Sequence, residues 1–242
     1  FLPEKEHFFL ESKNAAGTMV QSEAEQSAAL VPGSRGELVS RDMKTSAPLD
    51  VIFPVLHGGA GEDGSVQGLL KLSGLPFVGA GVLGSAVGMD KDVMKRLLRD
   101  AGIAIAQFIV IREKSIPRYD QVVKTLGVPF FVKPANAGSS VGVHKVEDAS
   151  QYDNAVKDAF LYDTKVLIEE AIVGREIEVA VIGNDDPQAS IPGEIIPKDG
   201  FYSYEAKYVD PDGARLEIPA RLSEETVERL QTVACQVFQI LS

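Results

Sequence analysis

Residues Val51 to Leu56 form a continuously apolar run that opens straight into His57-Gly58-Gly59-Ala60-Gly61-Glu62-Asp63-Gly64. After it, Ser65 to Leu72 repeats apolar residues at helical spacing. An apolar run without alternation suits a strand buried on both faces of a parallel sheet. Strand, glycine-rich loop and helix in that order form the unit with which α/β proteins place ligands at the carboxyl ends of their strands. The spacing predicts an α/β chain, continued by a short strand at Phe77-Val78 and a glycine-rich turn from Gly79 to Gly84.

A second strand-to-loop junction carries more chemistry. Pro129 to Val132 is β-branched and aromatic, Lys133 leaves it, and Pro134 ends regular pairing. Gly138, Ser139, Ser140 and Gly142 then supply backbone that can approach anionic oxygens, with N–H and hydroxyl donors. This is a phosphate-binding pattern. It differs from the Walker loop, because no Gly-Lys-Ser/Thr follows and Val143 to Val146 reads as a strand. The same residues also read as an ordinary hairpin turn, and the segment alone does not separate the two.

Around these junctions the periodicity lays out the rest. Residues 1 to 50 are polar and irregular, helix-friendly over Ser22–Leu30, with turn signals at Pro32-Gly33 and Gly36. Asp90 is placed to cap a helix carrying Lys95 to Asp100, which Gly102 ends. Strands are expected at Phe108–Ile111, Pro129–Lys133, Gly142–Val146, Lys165–Glu169, Glu176–Ile182 and Ala189–Ile195. Helices are expected at Pro117–Leu126 and near Ala149–Leu161. An aromatic loop spans Phe201–Tyr208, and a last helix is capped by Ser223 with Glu224 and Glu225 favoured by its dipole.

Composition narrows the partners. The 242 residues are 45% hydrophobic, enough for a real core in one or two domains. A formal net charge of −11 opposes nonspecific binding to nucleic acid or anionic membrane. Any anionic ligand must therefore be met by local lysines. The single cysteine, Cys235, has no internal disulfide partner and lies in the apolar pattern Val227, Leu230, Ala234, Val237, Phe238, Leu241, which reads as a buried structural thiol. No leader or long apolar span is visible, so a soluble, cytoplasmic protein is expected. A start at Phe1 rather than Met reads as a piece of a longer chain.

The stretch Lys165 to Glu176, KVLIEEAIVGRE, adds a second chemical hint. A strand ending in Glu169-Glu170-Ala171-Ile172 presents backbone amides beside apolar side chains, which suits a purine edge, and Glu176 is placed to accept from ribose hydroxyls. Taken singly, these carboxylates also read as a solvated strand end. His57 equally reads as a partner of loop carbonyls, Glu62 and Asp63 as first-turn dipole partners, and Lys95 as a solvated helix charge.

Together, HGGAGEDG with its QGLL helix, GVLGSAVGMDK, KPANAGSSVG, VLIEEAIVGREIE and FYSYEAKY resemble the D-alanine–D-alanine ligases of the ATP-grasp superfamily, in order from about Asp50 onward. The resemblance implies an α/β ATP-grasp architecture: a partial N-terminal substrate-binding domain with a parallel sheet over 1–84, a central subdomain over 85–166, and a partial C-terminal subdomain over 167–242. It implies that Lys95 and Lys133 reach ATP phosphates and that Ser139 and Ser140 close over them. Glu169, Glu170 and Ile172 line the adenine, and Glu176 holds the ribose. His57 and Glu62 orient the first D-alanine. Lys207 lies near phosphate, and Tyr208 bonds toward Ser139 on a closing loop. Ser139, Lys207 and Tyr208 are thereby the catalytic candidates.

The implied reaction phosphorylates one D-alanine carboxylate from ATP, and the amine of a second D-alanine attacks the acyl phosphate to give a dipeptide for peptidoglycan. The family's Ser-x-Glu-His segment falls before Phe1. Its Mg2+ ligands, an Asp and a Glu-x-Asn, fall past Ser242, so no metal site and no ligase activity are expected of these residues alone. A homodimer is usual in relatives. Ligation to D-lactate or D-serine keeps the same ATP machinery, though Lys207-Tyr208 favours D-alanine. Other ATP-grasp carboxylate–amine ligases and a noncatalytic nucleotide-binding remnant are the remaining alternatives.

Overall fold

Strand alternation around Lys133 organises the larger part of the molecule. The computed structural model describes residues 12–13, 19–20, 28–34, 36–40, 44, 46–198, 210 and 212–242. Two units divide at Val82/Leu83.

In the first unit, β1 (Ser12–Lys13) pairs with β2 (Met19–Val20), and β3 (Ala28–Leu30), β4 (Glu37–Ser40) and β5 (Ser46–Pro48) form an antiparallel sheet. Ala28–Leu30 therefore corrects the end of the helix-friendly reading of Ser22–Leu30, whose residues 22–27 lie outside the described residues. The Pro32-Gly33 turn folds this segment back on β4, and ladder pairing outweighs local propensity. Two helices follow, α1 (Gly59–Glu62) and α2 (Ser65–Leu72). Leu30, Val66, Leu70 and Leu75 make the core, with Ile52 and Phe77 against it.

The strand expected at Val51–Leu56 is reduced to a parallel bridge between Ile52 and Phe77, flanked by the bonds Ile52 N–H to Pro76 O and Val78 N–H to Ile52 O. Val51, Phe53, Val55 and Leu56 are exposed. Apolar composition signals a tendency to be covered but does not itself supply the covering surface.

The second unit contains all but the first residue of α3 (Val82–Met89), which begins inside the turn expected at Gly79–Gly84, then α4 (Lys91–Asp100), α5 (Tyr119–Leu126) and α6 (Ala149–Ala159). Its main sheet orders β6 (Phe108–Ile111), β9 (Val166–Glu170), β7 (Phe130–Pro134) and β8 (His144–Val146), all antiparallel. One face packs Ile111, Phe130, Val132, Val146, Val166 and Ile168 against Val122 of α5 and Tyr152, Ala155, Val156 and Ala159 of α6. Side chains of this kind stabilise by about 1.5–3 kcal/mol each when fully buried. Because side chains alternate, the residues between them, Phe131, Lys133, Leu167 and Glu169, point to the opposite face.

Beyond this sheet lie β10 (Glu176–Glu178), β11 (Val181–Ile182), β12 (Gln188–Ala189), β13 (Gly193–Pro197), β14 (Ala214–Glu217) and α7 (Glu224–Leu241). The two long strands expected over 176–182 and 189–195 are each split. Their register slips by one residue between the Glu178–Gly193 and Val181–Ala189 pairs. Ser190 Oγ accepts from Ala180 N–H, and Pro192, without an N–H, interrupts the ladder, as at a β-bulge. Ser223 caps α7, accepting from Thr226 N–H at 3.3 Å. Cys235 is half-buried rather than buried, its Sγ donating to Pro187 O at 3.4 Å.

Candidate functional site

The face of the main sheet turned away from α5 and α6 gathers charge. Register sets Phe108 and Phe131 opposite Glu169, and Lys133 opposite Leu167. Glu169 is buried, and its Oε1 accepts a hydrogen bond from Lys133 Nζ. Its Oε2 lies 2.5 Å from Lys95 Nζ, an ion pair whose angles fall outside those of a directed hydrogen bond. Lys95, buried on α4, also donates to Ala106 O at 3.4 Å and sits 5.4 Å from the Phe108 ring centroid. That position satisfies the geometry of a cation–π contact.

Lys91, one turn before Lys95, is a lysine the sequence reading passed over. Its Nζ donates to Ala135 O at 3.3 Å and to Ala137 O, and its backbone N–H bonds Ala135 O at 3.1 Å. Burial, reinforced by the Lys133 charge, lowers its pKa to about 8 against the pull of Asp163, Glu169 and Asp90. The signal that could have found it is position: Asp90 fixes the start of α4, so the next residue stands at the helix mouth.

Nearby acids do not balance these lysines. Asp90 caps α4, accepting from Asp92 and Val93 N–H at 3.1 and 3.2 Å, and receives Lys165 Nζ at 2.7 and 2.5 Å. Burial alone would raise the Asp90 pKa, but Lys165 and these amides outweigh it and hold the carboxyl below its usual range. Asp92 is held by Arg96 and Lys165. Glu169 faces Lys91, Lys95 and Lys133, and Asp163 also acts on Lys91, so three lysines meet two carboxylates and this face carries an excess of one positive charge.

The loop after Lys133 is fixed at its entry and strained at its tip. Asn136 N–H and Nδ2 both donate to Asp163 Oδ2 at 2.8 Å, and Ala135 N–H bonds Lys165 O at 2.9 Å. Ser139 and Ser140 take φ of 53° and 61°, a left-handed conformation that disfavours L-residues by about 1–2 kcal/mol each. At Gly142, φ is 66°, and an added Cβ would meet Tyr162 Cδ2 at 2.5 Å and Pro134 Cγ at 2.9 Å.

The remaining expected residues distribute as follows. Glu170 Oε1 accepts from Gln107 N–H at 2.7 Å, which anchors the strand end. Ile172 and Glu176 are exposed just beyond it, Glu176 entering β10 opposite Ile195. In the first unit His57 is exposed, Glu62 Oε2 accepts from Gly58 N–H at 2.5 Å, and Asp63 Oδ1 accepts from Ser65 N–H at 2.9 Å. Both acids thus bond amides of their own loop, and Asp63 stands outside the first turn of either helix. Lys207 and Tyr208, with the rest of Phe201–Tyr208, lie outside the described residues. Among the described residues, no group of three His, Cys, Asp or Glu side chains is placed to hold a metal ion, and no helix is long and apolar enough to cross a membrane.

The family model described as D-ala D-ala ligase C-terminus matches residues 97–242, and the one described as D-ala D-ala ligase N-terminus matches residues 2–80. The chain is 54% identical over 218 residues to a D-alanine–D-alanine ligase of Oceanobacillus iheyensis, covering 88% of this chain and 60% of that protein. It is 48% identical over 243 residues to one of Shouchella clausii, covering 99% and 66%. Among solved structures, the VanG D-Ala:D-Ser ligase of Enterococcus faecalis superposes with a TM-score of 0.78 at 33% identity, covering 89% of this chain and 62% of that one. The chain therefore spans between 60% and 66% of the length of these two curated relatives.

Proposed function

The chain belongs to the D-alanine–D-alanine ligase family and has the ATP-grasp fold, and from that premise we propose that it supplies the nucleotide-binding half of an ATP-dependent ligation of two D-alanine molecules. The observation that carries this reading is the charge imbalance around Glu169. Lys91, Lys95 and Lys133 outnumber Glu169 and Asp163, the two carboxylates that face them, where the sheet opens at Lys133 into a loop with strained backbone at Ser139 and Ser140. Such a face favours a polyanion, and strain of this kind collects at functional sites.

In this reading Lys95 and Lys133 reach the phosphates, Lys91 adds charge beside them, and Ser139 and Ser140 present donors from above. Lys95 belongs to the same charged face. Glu169 accepts from the adenine amino group, the backbone beyond Glu170 and the Ile172 side chain cover the base, and Glu176 accepts from the ribose. Lys207 reaches phosphate, Tyr208 closes toward Ser139, and His57 and Glu62 orient the first D-alanine. Lysine charge stabilises the transferring phosphoryl group, and the closed loops keep water from the acyl phosphate. The second amine then gives D-alanyl-D-alanine, a peptidoglycan precursor, in a cytoplasmic homodimer. Magnesium would travel with ATP in such a reaction. The described residues offer it no cluster of ligands, so no step is assigned through it.

D-alanine is preferred over D-serine as second substrate because relatives 54% and 48% identical to this chain are named D-alanine–D-alanine ligase. The test measures phosphate release with Mg-ATP and D-alanine, D-serine or D-lactate. It uses this chain and a chimera in which the Oceanobacillus iheyensis relative supplies its remaining segments. Release by the chimera with D-alanine alone is expected. ATP binding without D-alanine-dependent release would overturn the ligase reading.

A further inference from the structure

The loop between Lys133 and β8 is held at both ends by one short segment of chain, the turn that leads from α6 into β9. At the entry, Asp163 Oδ2 accepts from Asn136 N–H and Nδ2 at 2.8 Å, while its Oδ1 accepts from Lys165 N–H at 3.1 Å. At the exit, His144 Nε2 lies 2.7 Å from Asp158 Oδ2. An ionised carboxylate only accepts, so the ring nitrogen donates. Between the two, the Tyr162 ring lies against Gly142, close enough that an added Cβ there would meet it. The turn is itself fixed: Leu161 N–H bonds Asp158 O at 2.9 Å, Tyr162 N–H bonds Ala159 O at 3.2 Å, and Ala159 is fully buried. Within the span so held, Ser139 and Ser140 take their left-handed conformations. Backbone strain of this kind persists only where the surroundings over-determine it.

From this arrangement we propose that Asp158 and Asp163 are positioning residues: from one turn they pin both ends of the loop and so keep Ser139 and Ser140 in the conformation that meets a phosphate. The inference rests on the nucleotide reading proposed for this face and adds to it the support that sets the loop. Charge alone assigns these acids the opposite role. Asp163 is a negative charge beside Lys91, and in that capacity it repels a polyanion. Support and repulsion therefore predict opposite signs when the acids are removed.

The test compares Ala and Asn at each position in the 242-residue chain, with inorganic tripolyphosphate as the probe. Both replacements lose the same charge, but Asn keeps an acceptor oxygen for Asn136 or His144. Tripolyphosphate affinity should fall about tenfold in Asp163→Ala, the scale of a hydrogen bond to a charged group. In Asp158→Ala it should fall about two- to fivefold, because the Asp158 and His144 side chains are 38% and 41% exposed. Asp163→Asn and Asp158→Asn should bind at least as tightly as the wild type. Equal affinities for the Ala and Asn variants, or tighter binding by the Ala variants, would overturn the inference. Hydrogen exchange reads the same pinning without a ligand. The amides of Val141 and Val143, which bond Gly138 O and Ser140 O inside the loop, should exchange faster in both Ala variants while those of β7 and β9 keep their rates. Unchanged loop rates, or a uniform rise that includes the strands, overturn it. A wild-type chain that binds neither ATP nor tripolyphosphate, with loop exchange responding as expected, would instead defeat the nucleotide reading and leave the pinning in place.

Discussion

Two glycine-rich loops follow apolar runs in this molecule, and they meet their polar groups in opposite ways. In His57–Gly64 the acids turn inward: Glu62 accepts from Gly58 N–H, and Asp63 from Ser65 N–H. In the loop after Lys133, side chains from neighbouring elements hold the entry. Lys91 donates to the carbonyls of Ala135 and Ala137, and Asp163 accepts from Asn136. The first loop answers its own donors with negative charge. The second is bordered by three lysines against Glu169 and Asp163, so in the proposed reading its affinity for an anion comes from the charges its neighbours aim at it.

The strongest way to break this contrast is Lys133→Ala. Removing one charge stabiliser from a reacting site lowers turnover by about 10²–10³-fold. The chimera should lose that much ATP-driven phosphate release while D-alanine recognition remains. Near-normal turnover would place the phosphate chemistry elsewhere. A paired substitution then asks whether the loops differ in packing as well as charge. Gly142→Ala combines a positive φ with a Cβ 2.5 Å from Tyr162, so it should destabilise by about 2–4 kcal/mol in urea unfolding. Gly58 has φ 77° and ψ 166°, a backbone region kept almost to glycine, but nothing lies within 4 Å of an added Cβ, so Gly58→Ala should cost about 1–3 kcal/mol from the backbone alone.

Lys91 supplies a pH-dependent test. Its pKa in the folded chain is lowered to about 8, so between pH 8 and its ordinary value of 10.5 the unfolded chain holds more protons than the folded one. Its contribution to stability therefore rises across that window. Phosphate binding would favour the charged form, so ATP binding should take up a proton above pH 8. Affinity should fall by up to about tenfold per pH unit there, and Lys91→Met should flatten the slope. A slope unchanged by Lys91→Met would remove this lysine from the phosphate site.

Much of the second unit was legible because its signals are local. Asp90 and Ser223 cap helices as their side chains dictate, and the Phe108–Ile111 strand is bounded as its β-branched run implies. The alternation of Phe130, Val132 and Lys133 already separates a core face from a charged face. Other features depend on distant partners. Which lysine of α4 faces the loop is decided by where Ala135 and Ala137 lie, so Lys91 was missed while Lys95 was noticed. The bulge at Ser190 to Pro192 splits two strands that periodicity alone joins, and Ala214–Glu217 became a strand only by pairing with Gly193–Pro197. For Val51–Leu56, apolar character was read correctly as a tendency, but strand formation needed a ladder that only Ile52 makes.

The smallest expected effect sharpens the reading of the first loop. Glu62 is exposed, ends the short helix α1, and accepts from Gly58 N–H. If that is its whole role, Glu62→Gln keeps an acceptor but loses the charge-assisted part of the bond, and the chain should lose about 0.3–1 kcal/mol, less in high salt. D-alanine use by the chimera would then follow stability. If Glu62 instead faces the amino acid, the same substitution should raise the KM for D-alanine while unfolding stays within this small range. Because Gln fills nearly the same volume as Glu, packing is conserved in both cases, and the direction in which stability and KM part company identifies which partner the carboxylate serves.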